Sequence, residues 1–337
     1  MQFFSDNAAA VHPAVWDAMR AADGPQAPYD NDALSQRLDE AFAALFGREC
    51  AALWVASGTA ANGLALAALV EPHRGVICHA DAHIENDECG APAFFTHGAK
   101  LMLAADDLGA PDAKLTTAGI DSVIAPIRRD VHRVWPQAIS ITQATEAGTV
   151  YRPAEVAALG AAAKVQDFRF HMDGARFANA VAFLGCTPAE ASCDHGVEAL
   201  SFGFVKNGGM SAEALVLFDL SLADMLRYRR KRAGHLQSKG RFLAAQILAL
   251  LQGDLWLANG RAANAAAVEI ATAVKDRLLH PVEANEVFLR LDAAERDALR
   301  KAGFDFYDWG ASGARFVTAW NADPDHIDAL ARTLAAL

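Results

Sequence analysis

An α/β fold with a mostly parallel central sheet and a small C-terminal α/β sandwich domain is predicted by three observations. Short apolar runs alternate with longer helical segments between about residues 33 and 250. Four clusters of polar residues follow such runs, where the catalytic loops of parallel sheets gather. After Leu257 the pattern changes to a long Ala-rich segment followed by a second, shorter α/β series.

Taken in order, residues 51–55 (Ala51-Ala52-Leu53-Trp54-Val55) read as a strand, followed by a Ser/Gly/Thr turn and a helix over 60–70. Strands follow at 75–79, 138–142 and 169–173, with an Ala-rich helix over 153–165 between the last two. Runs at 200–204 and 214–218 complete the series. Strands separated by helices call for parallel pairing with both faces covered. Beyond Leu257 a helix over 259–279 leads to a strand at 287–291 and a helix over 293–302. Short strands at 304–307 and 315–319 and a last helix over 325–337 close the chain. The expected division is a large domain over 1–255, with an N-terminal arm, and a small one over 256–337.

Composition narrows the function. Of 337 residues 53% are apolar and 21% charged, and like charge runs together only in Arg227-Tyr228-Arg229-Arg230-Lys231-Arg232, which argues against a disordered chain. A net charge of −11, from 30 basic and 41 acidic residues, argues against nucleic-acid binding. The most apolar stretch, 51–70, is interrupted by Ser57-Gly58-Thr59 and Asn62 and does not read as a bilayer span. Met1-Gln2-Phe3-Phe4-Ser5-Asp6 lacks the basic start and long apolar run of a secretory signal. Five scattered cysteines give no disulfide framework, so a cytoplasmic globular protein is expected.

The four clusters carry the chemistry. Ser57-Gly58-Thr59-Ala60-Ala61-Asn62 lies between a strand and a helix, and N–H groups at a helix N-terminus suit a phosphate; an ordinary N-cap is the plain alternative. His79-Ala80-Asp81-Ala82-His83-Ile84-Glu85-Asn86-Asp87-Glu88-Cys89-Gly90 is dense in ionisable groups, but its spacing matches no standard Cys/His ligand pattern and does not predict a metal. His171-Met172-Asp173-Gly174-Ala175-Arg176 sets an acid directly after an apolar strand, placed either to hold a ring nitrogen or to cap a helix. In Ser201-Phe202-Gly203-Phe204-Val205-Lys206-Asn207-Gly208-Gly209 a lysine stands in an apolar, Gly-rich setting. Burying it calls for a partner or for an imine that removes its charge; a surface loop is the alternative.

These motifs in this order resemble the L-threonine aldolases among the aspartate-aminotransferase-like (fold type I) pyridoxal-phosphate (PLP) enzymes, in particular their low-specificity and phenylserine-aldolase branch. The resemblance runs nearly end to end and includes Phe4-Ser5-Asp6-Asn7, Tyr228-Arg229-Arg230-Lys231-Arg232 and Arg315-Phe316-Val317-Thr318. It implies that Lys206 forms the imine with the cofactor, Asp173 pairs with the pyridine nitrogen, and His83 stacks on the ring. Gly58 and Thr59 would hold the phosphate, and Ser5, Arg176 and Arg315 the substrate carboxylate. A homodimer or homotetramer with shared sites is also implied, with Tyr29, Arg229 and Arg230 facing the neighbouring subunit and the arginines meeting its cofactor phosphate.

Two positions depart from the family pattern. Asp30 stands where the family often has a Gly after the tyrosine, a position where positive φ is at issue and Asp is tolerated. Thr142-Gln143-Ala144-Thr145 replaces a Glu-Asn-Thr-His stretch found in many threonine aldolases. The implied activity is that of an aldehyde-lyase that splits L-threonine, L-allo-threonine or L-phenylserine into glycine and an aldehyde. His83, His132 and Glu88 are the candidates for the catalytic base. Two other readings stay open at this point: β-elimination or racemisation on the same scaffold, and a non-catalytic PLP-binding protein.

Overall fold

The computed structural model describes residues 1–104 and 112–337. Seven strands form the large sheet: β1 (Ala51–Val55), β2 (Gly75–His79), β3 (Lys100–Ala104), β4 (Pro136–Thr142), β5 (Arg169–Gly174), β6 (Ala199–Phe202) and β7 (Glu213–Leu217). Their spatial order is β1-β7-β6-β5-β4-β2-β3. Only β7 runs against the others, antiparallel to both β1 and β6, so the six remaining strands point the same way. The carboxyl ends of those six therefore lie along one edge.

Successive strand residues go to opposite faces. Ala52 and Trp54 join one apolar cluster with helices Leu38–Phe46, Pro153–Gln166, Phe177–Leu184 and Arg241–Leu251. Ala51, Leu53 and Val55 join the other, beneath helices Gly58–Leu69 and Ala223–Arg232. Coverage on both faces explains why β1 and β2 are buried at every position rather than alternating.

The small domain is a three-stranded antiparallel sheet of β8 (Glu286–Arg290), β9 (Tyr307–Trp309) and β10 (Gly313–Val317), ordered β8-β10-β9. Helices Ala293–Lys301 and Pro324–Ala335 pack on it, and the long helix Leu255–Ala273 joins it to the large domain. The strand expected at 304–307 begins three residues later. Its place is taken by the N-terminal arm: Phe3 N–H donates to Asp305 O at 2.7 Å and Asp305 N–H to Met1 O at 2.9 Å. Phe3 is thereby buried in the small-domain core, so the arm, grouped with the large domain from sequence, pairs with the small one. The strand Lys100–Ala104, which no sequence reading anticipated, has only one fully buried residue and lies at the sheet's outer edge.

Candidate active site

The carboxyl edge of the sheet brings together the four clusters of the sequence and a fifth segment, the loop after β4. Helix Gly58–Leu69 starts three residues after β1, His83 follows β2, and Asp173 is the last residue but one of β5. Lys206 sits in a short 3-10 turn after β6, and Glu146 follows β4. Gly203 lets the Lys206 turn close on the end of β5, because a Cβ there would lie 2.3 Å from Ala175 O.

His83, Glu88, Asn62 and Asp173 form one hydrogen-bonded chain. His83 Nδ1 lies 2.9 Å from Glu88 Oε1, and the Asn62 amide donates to Glu88 Oε1 and Asp173 Oδ2, both at 2.8 Å. The other Asp173 oxygen accepts from Ala175 N–H at 3.0 Å. The hydrogen bond to Glu88 holds the His83 pKa above its ordinary value, against the pull of burial. The Glu88 side chain is wholly buried, whereas His83 is one-third exposed. Glu88, one of the expected bases, holds the Nδ1 side of His83, and Nε2 has no hydrogen bond among the described residues. Asn62 was quoted only as part of the helix-start motif. An amide within an otherwise small and apolar helix interior is the one sequence signal of its bridging role.

Beneath these groups, His171 is enclosed between Ser140 Oγ at 2.9 Å and Ser201 Oγ at 3.2 Å. Burial pushes its pKa down to about 4, so it is a neutral core histidine within the sheet. Glu213 on β7 accepts from the N–H groups of Phe204 and Val205, directly before Lys206, and so anchors the lysine's turn. Burial pushes the Glu213 carboxyl up to about 7. Lys206 itself is half-buried.

A second charged group closes the site toward the small domain. Arg176 binds Asp6 through two bonds, Nε to Oδ2 at 2.8 Å and Nη2 to Oδ1 at 3.0 Å, and its Nη1 lies 3.4 Å from Glu286. Arg315 donates to Glu286 Oε1 at 2.9 and 2.6 Å. Burial disfavours the Arg176 cation, yet Asp6 and Glu286 hold its pKa above the ordinary value. Ser5, half-buried, caps the turn that carries Asp6 and accepts from Asn7 N–H. Asp6 and Glu286, each about 1% exposed, were not anticipated as site residues. They are required because a buried guanidinium must be paired.

One expected site residue stands apart from the site of its own chain, and two expectations need correction. His132 lies on an exposed loop four residues before β4, in a shallow pocket lined by His73, Arg74 and Trp135. Those residues precede β2 and β4, so His132 sits at the amino edge of the sheet, and its own chain's Lys206 lies beyond the opposite edge. Arg230 does not face outward: it is 1% exposed, paired with Asp30, bonded to Trp54 O at 3.2 Å and stacked 4.6 Å from the Trp54 ring. The residue with positive φ is Tyr29 (φ 65°) rather than Asp30, whose carboxylate is instead the partner of Arg230. Tyr29 and Arg229 remain half-exposed, with Lys231 lying over the Tyr29 ring at 4.6 Å.

The site has features that fit pyridoxal phosphate. Asp173 is 3% exposed and has no ion pair among the described residues, so a cationic ring nitrogen would supply the charge it lacks. Ser57 Oγ accepts from Ala60 N–H at 3.3 Å, leaving the first helical N–H groups, those of Gly58 and Thr59, available to a phosphate. A Cβ added at Gly58 would meet nothing within 4 Å, so the space before this helix is open.

Comparisons with known proteins agree with this architecture. The profile of the beta-eliminating lyase family matches residues 2–294. A low-specificity L-threonine aldolase of Pseudomonas aeruginosa is 46% identical over 99% of this chain and 96% of its own length. A second, from a Pseudomonas species, is 43% identical over 100% and 97%. The solved threonine aldolase of Leishmania major superposes with a TM-score of 0.93 at 26% identity, covering 99% of this chain and 98% of that one. The chain is an enzyme of the beta-eliminating lyase family and belongs to its L-threonine aldolase group.

Proposed function

We propose that this enzyme splits L-β-hydroxy-α-amino acids, L-threonine and L-allo-threonine among them and L-phenylserine as an aromatic candidate, into glycine and an aldehyde. The observation that carries the reading is the placement of half-buried Lys206 at the same sheet edge as the His83–Glu88–Asn62–Asp173 chain. Pyridoxal phosphate, when bound, supplies the electron sink for the carbon–carbon bond that breaks. Lys206 would hold its aldehyde carbon, Asp173 its ring nitrogen, His83 its ring face, and Gly58 and Thr59 its phosphate.

The chain's own groups divide the remaining work. Arg315, Arg176 and Ser5 take the substrate carboxylate, with Arg176 held in place by Asp6. Fixing that carboxylate sets the orientation of the Cα–Cβ bond, the positioning on which the rate depends. Glu88 holds the Nδ1 side of His83, which leaves Nε2 to take the β-hydroxyl proton. Assembly as a homodimer or homotetramer, with Tyr29 and Arg229 toward the partner, belongs to the same proposal.

The test is an absorbance spectrum of PLP-loaded wild type and Lys206→Ala before and after each of the three substrates, with aldehyde assayed in parallel. A cofactor band that depends on Lys206, coupled to aldehyde release, is expected, and the variant should lose more than about a thousandfold in turnover. A Lys206-dependent band without aldehyde would break the assigned reaction while leaving the cofactor site intact.

A further inference from the structure

Glu146 has none of the roles assigned above, yet it stands on a loop built to hold it. The loop is tied across its base: Gln143 Oε1 accepts from Tyr151 N–H at 3.0 Å while its Nε2 donates to Tyr151 O at 2.9 Å. Nearer the tip, Thr145 N–H donates to Thr149 O at 2.9 Å, and the two hydroxyls meet at 2.8 Å. The far side is seated on the small domain, where Val150 N–H donates to Glu283 at 2.8 Å. Gly148 lies so close that an added Cβ would come within 3.1 Å of Glu286 Cβ. Glu146, at the apex, is the one ionisable side chain between Gln143 and Tyr151 apart from that tyrosine.

The loop packs against Glu286 through Gly148, and the charges of four groups on other segments act on the Glu146 carboxyl: Glu286 on β8, Arg176 after β5, His83 after β2 and Lys206 after β6. Burial, then Glu286, pushes the Glu146 carboxyl up to about 7, while Arg176, His83 and Lys206 pull the other way. A carboxyl balanced in this way changes protonation when a single charge beside it arrives or leaves.

We propose that Glu146 accepts the proton that the substrate's α-ammonium group must lose before its nitrogen can react, an inference that rests on the function proposed above. An amino acid arrives as a zwitterion. Its carboxylate is drawn to Arg315 and its nitrogen must approach Lys206, which sets the ammonium group among the groups whose charges act on Glu146. One N–H bond breaks, its electron pair stays on nitrogen, and an O–H bond forms on Glu146. The products are a neutral amine and a neutral carboxylic acid. The incoming carboxylate adds negative charge beside Glu146 and favours its protonated form. His83 is left free for the later proton from the β-hydroxyl group.

Glycine, the amino-acid product of the proposed reaction, is the probe. It is titrated calorimetrically into PLP-loaded wild type, Glu146→Gln and Glu146→Asp in buffers of different ionisation enthalpy, which gives the protons exchanged per glycine bound. Near about pH 8, wild type and Glu146→Asp should release up to one proton fewer than Glu146→Gln, because the carboxylate keeps the proton. Near about pH 6, where Glu146 is already protonated, wild type and Glu146→Gln should agree. The glutamine variant should also lose about 100-fold in kcat/KM. Equal proton counts for wild type and Glu146→Gln at the higher pH overturn the proposal even if activity falls, since a purely structural role would not alter the count. Wild type that binds glycine but releases no aldehyde from any of the three β-hydroxy amino acids overturns the functional reading instead, and the proton count is read independently of it.

Discussion

At the carboxyl edge of the large sheet, charged side chains are buried and joined across distant segments; on the loop before β4, at the amino edge, Arg128 and Asp130 stand in water beside each other. Asp6 and Arg176 are 170 positions apart and both almost fully buried. Arg128 and Asp130 are two positions apart, and the Arg128 side chain is 71% exposed. The contrast follows from connectivity. Each parallel strand ends at the carboxyl edge in a segment that turns into the next helix, and these segments converge. The small domain and N-terminal arm then close over them, so every charge they bring must find a partner. Around Arg128 solvent does that work.

Breaking one partnership at each edge should expose the difference. Asp6→Asn removes the two-point partner of a buried guanidinium and should cost about 3–5 kcal/mol, read from denaturant unfolding. A loss below about 1 kcal/mol would mean that Glu286 alone satisfies Arg176, and the edge would be less tightly coupled than its geometry implies.

Glu88→Gln tests the orienting chain. With the carboxylate gone, kcat/KM should fall on the order of 100-fold. The His83 pKa, raised chiefly by the Glu88 hydrogen bond, should move down, carrying the acidic limb of kcat/KM to lower pH. Stability follows with a definite sign. Because the folded pKa is raised above the ordinary 6.5, the pair's contribution is full below that value and lost as pH rises through the folded one. The wild-type advantage over the variant should therefore shrink from acid toward neutral and alkaline pH. An unmoved pH profile would remove His83 as the proton-carrying group.

The smallest effect is expected at the amino edge. Asp130→Asn breaks the ion pair with Arg128 and should change stability by less than about 0.5 kcal/mol, as exposed pairs commonly do. A loss comparable to that of Asp6→Asn would show that this edge is covered by something beyond its own chain.

How much of this was legible beforehand depended on whether a residue's role was local. The strand at 51–55, the helix after Ser57 and the acid at the end of the strand at 169–173 follow from short-range pattern and turn chemistry, and they stand where the sequence places them. The strand expected at 304–307 was displaced because its hydrogen-bonding partner lies some 300 residues away at the N-terminus. Arg230 carried the same residue type and motif context as a phosphate ligand, but the neighbouring Trp54 and Asp30 took it inward. His132 matched a family position, yet its loop leaves the sheet from the edge opposite Lys206.

Sequence by itself determined the α/β class, the chain order of Lys206, Asp173 and the helix-start loop, and the excess of negative charge. These depend on periodicity, composition and residues adjacent along the chain. Tertiary structure alone decided that Asn62 joins Glu88 to Asp173, that Asp6 and Glu286 hold the two arginines, and that the loop of Glu146 packs against Glu286. Those relations arise only where six parallel strands end together and a second domain excludes water. There, desolvation makes each charge depend on partners that no local pattern encodes.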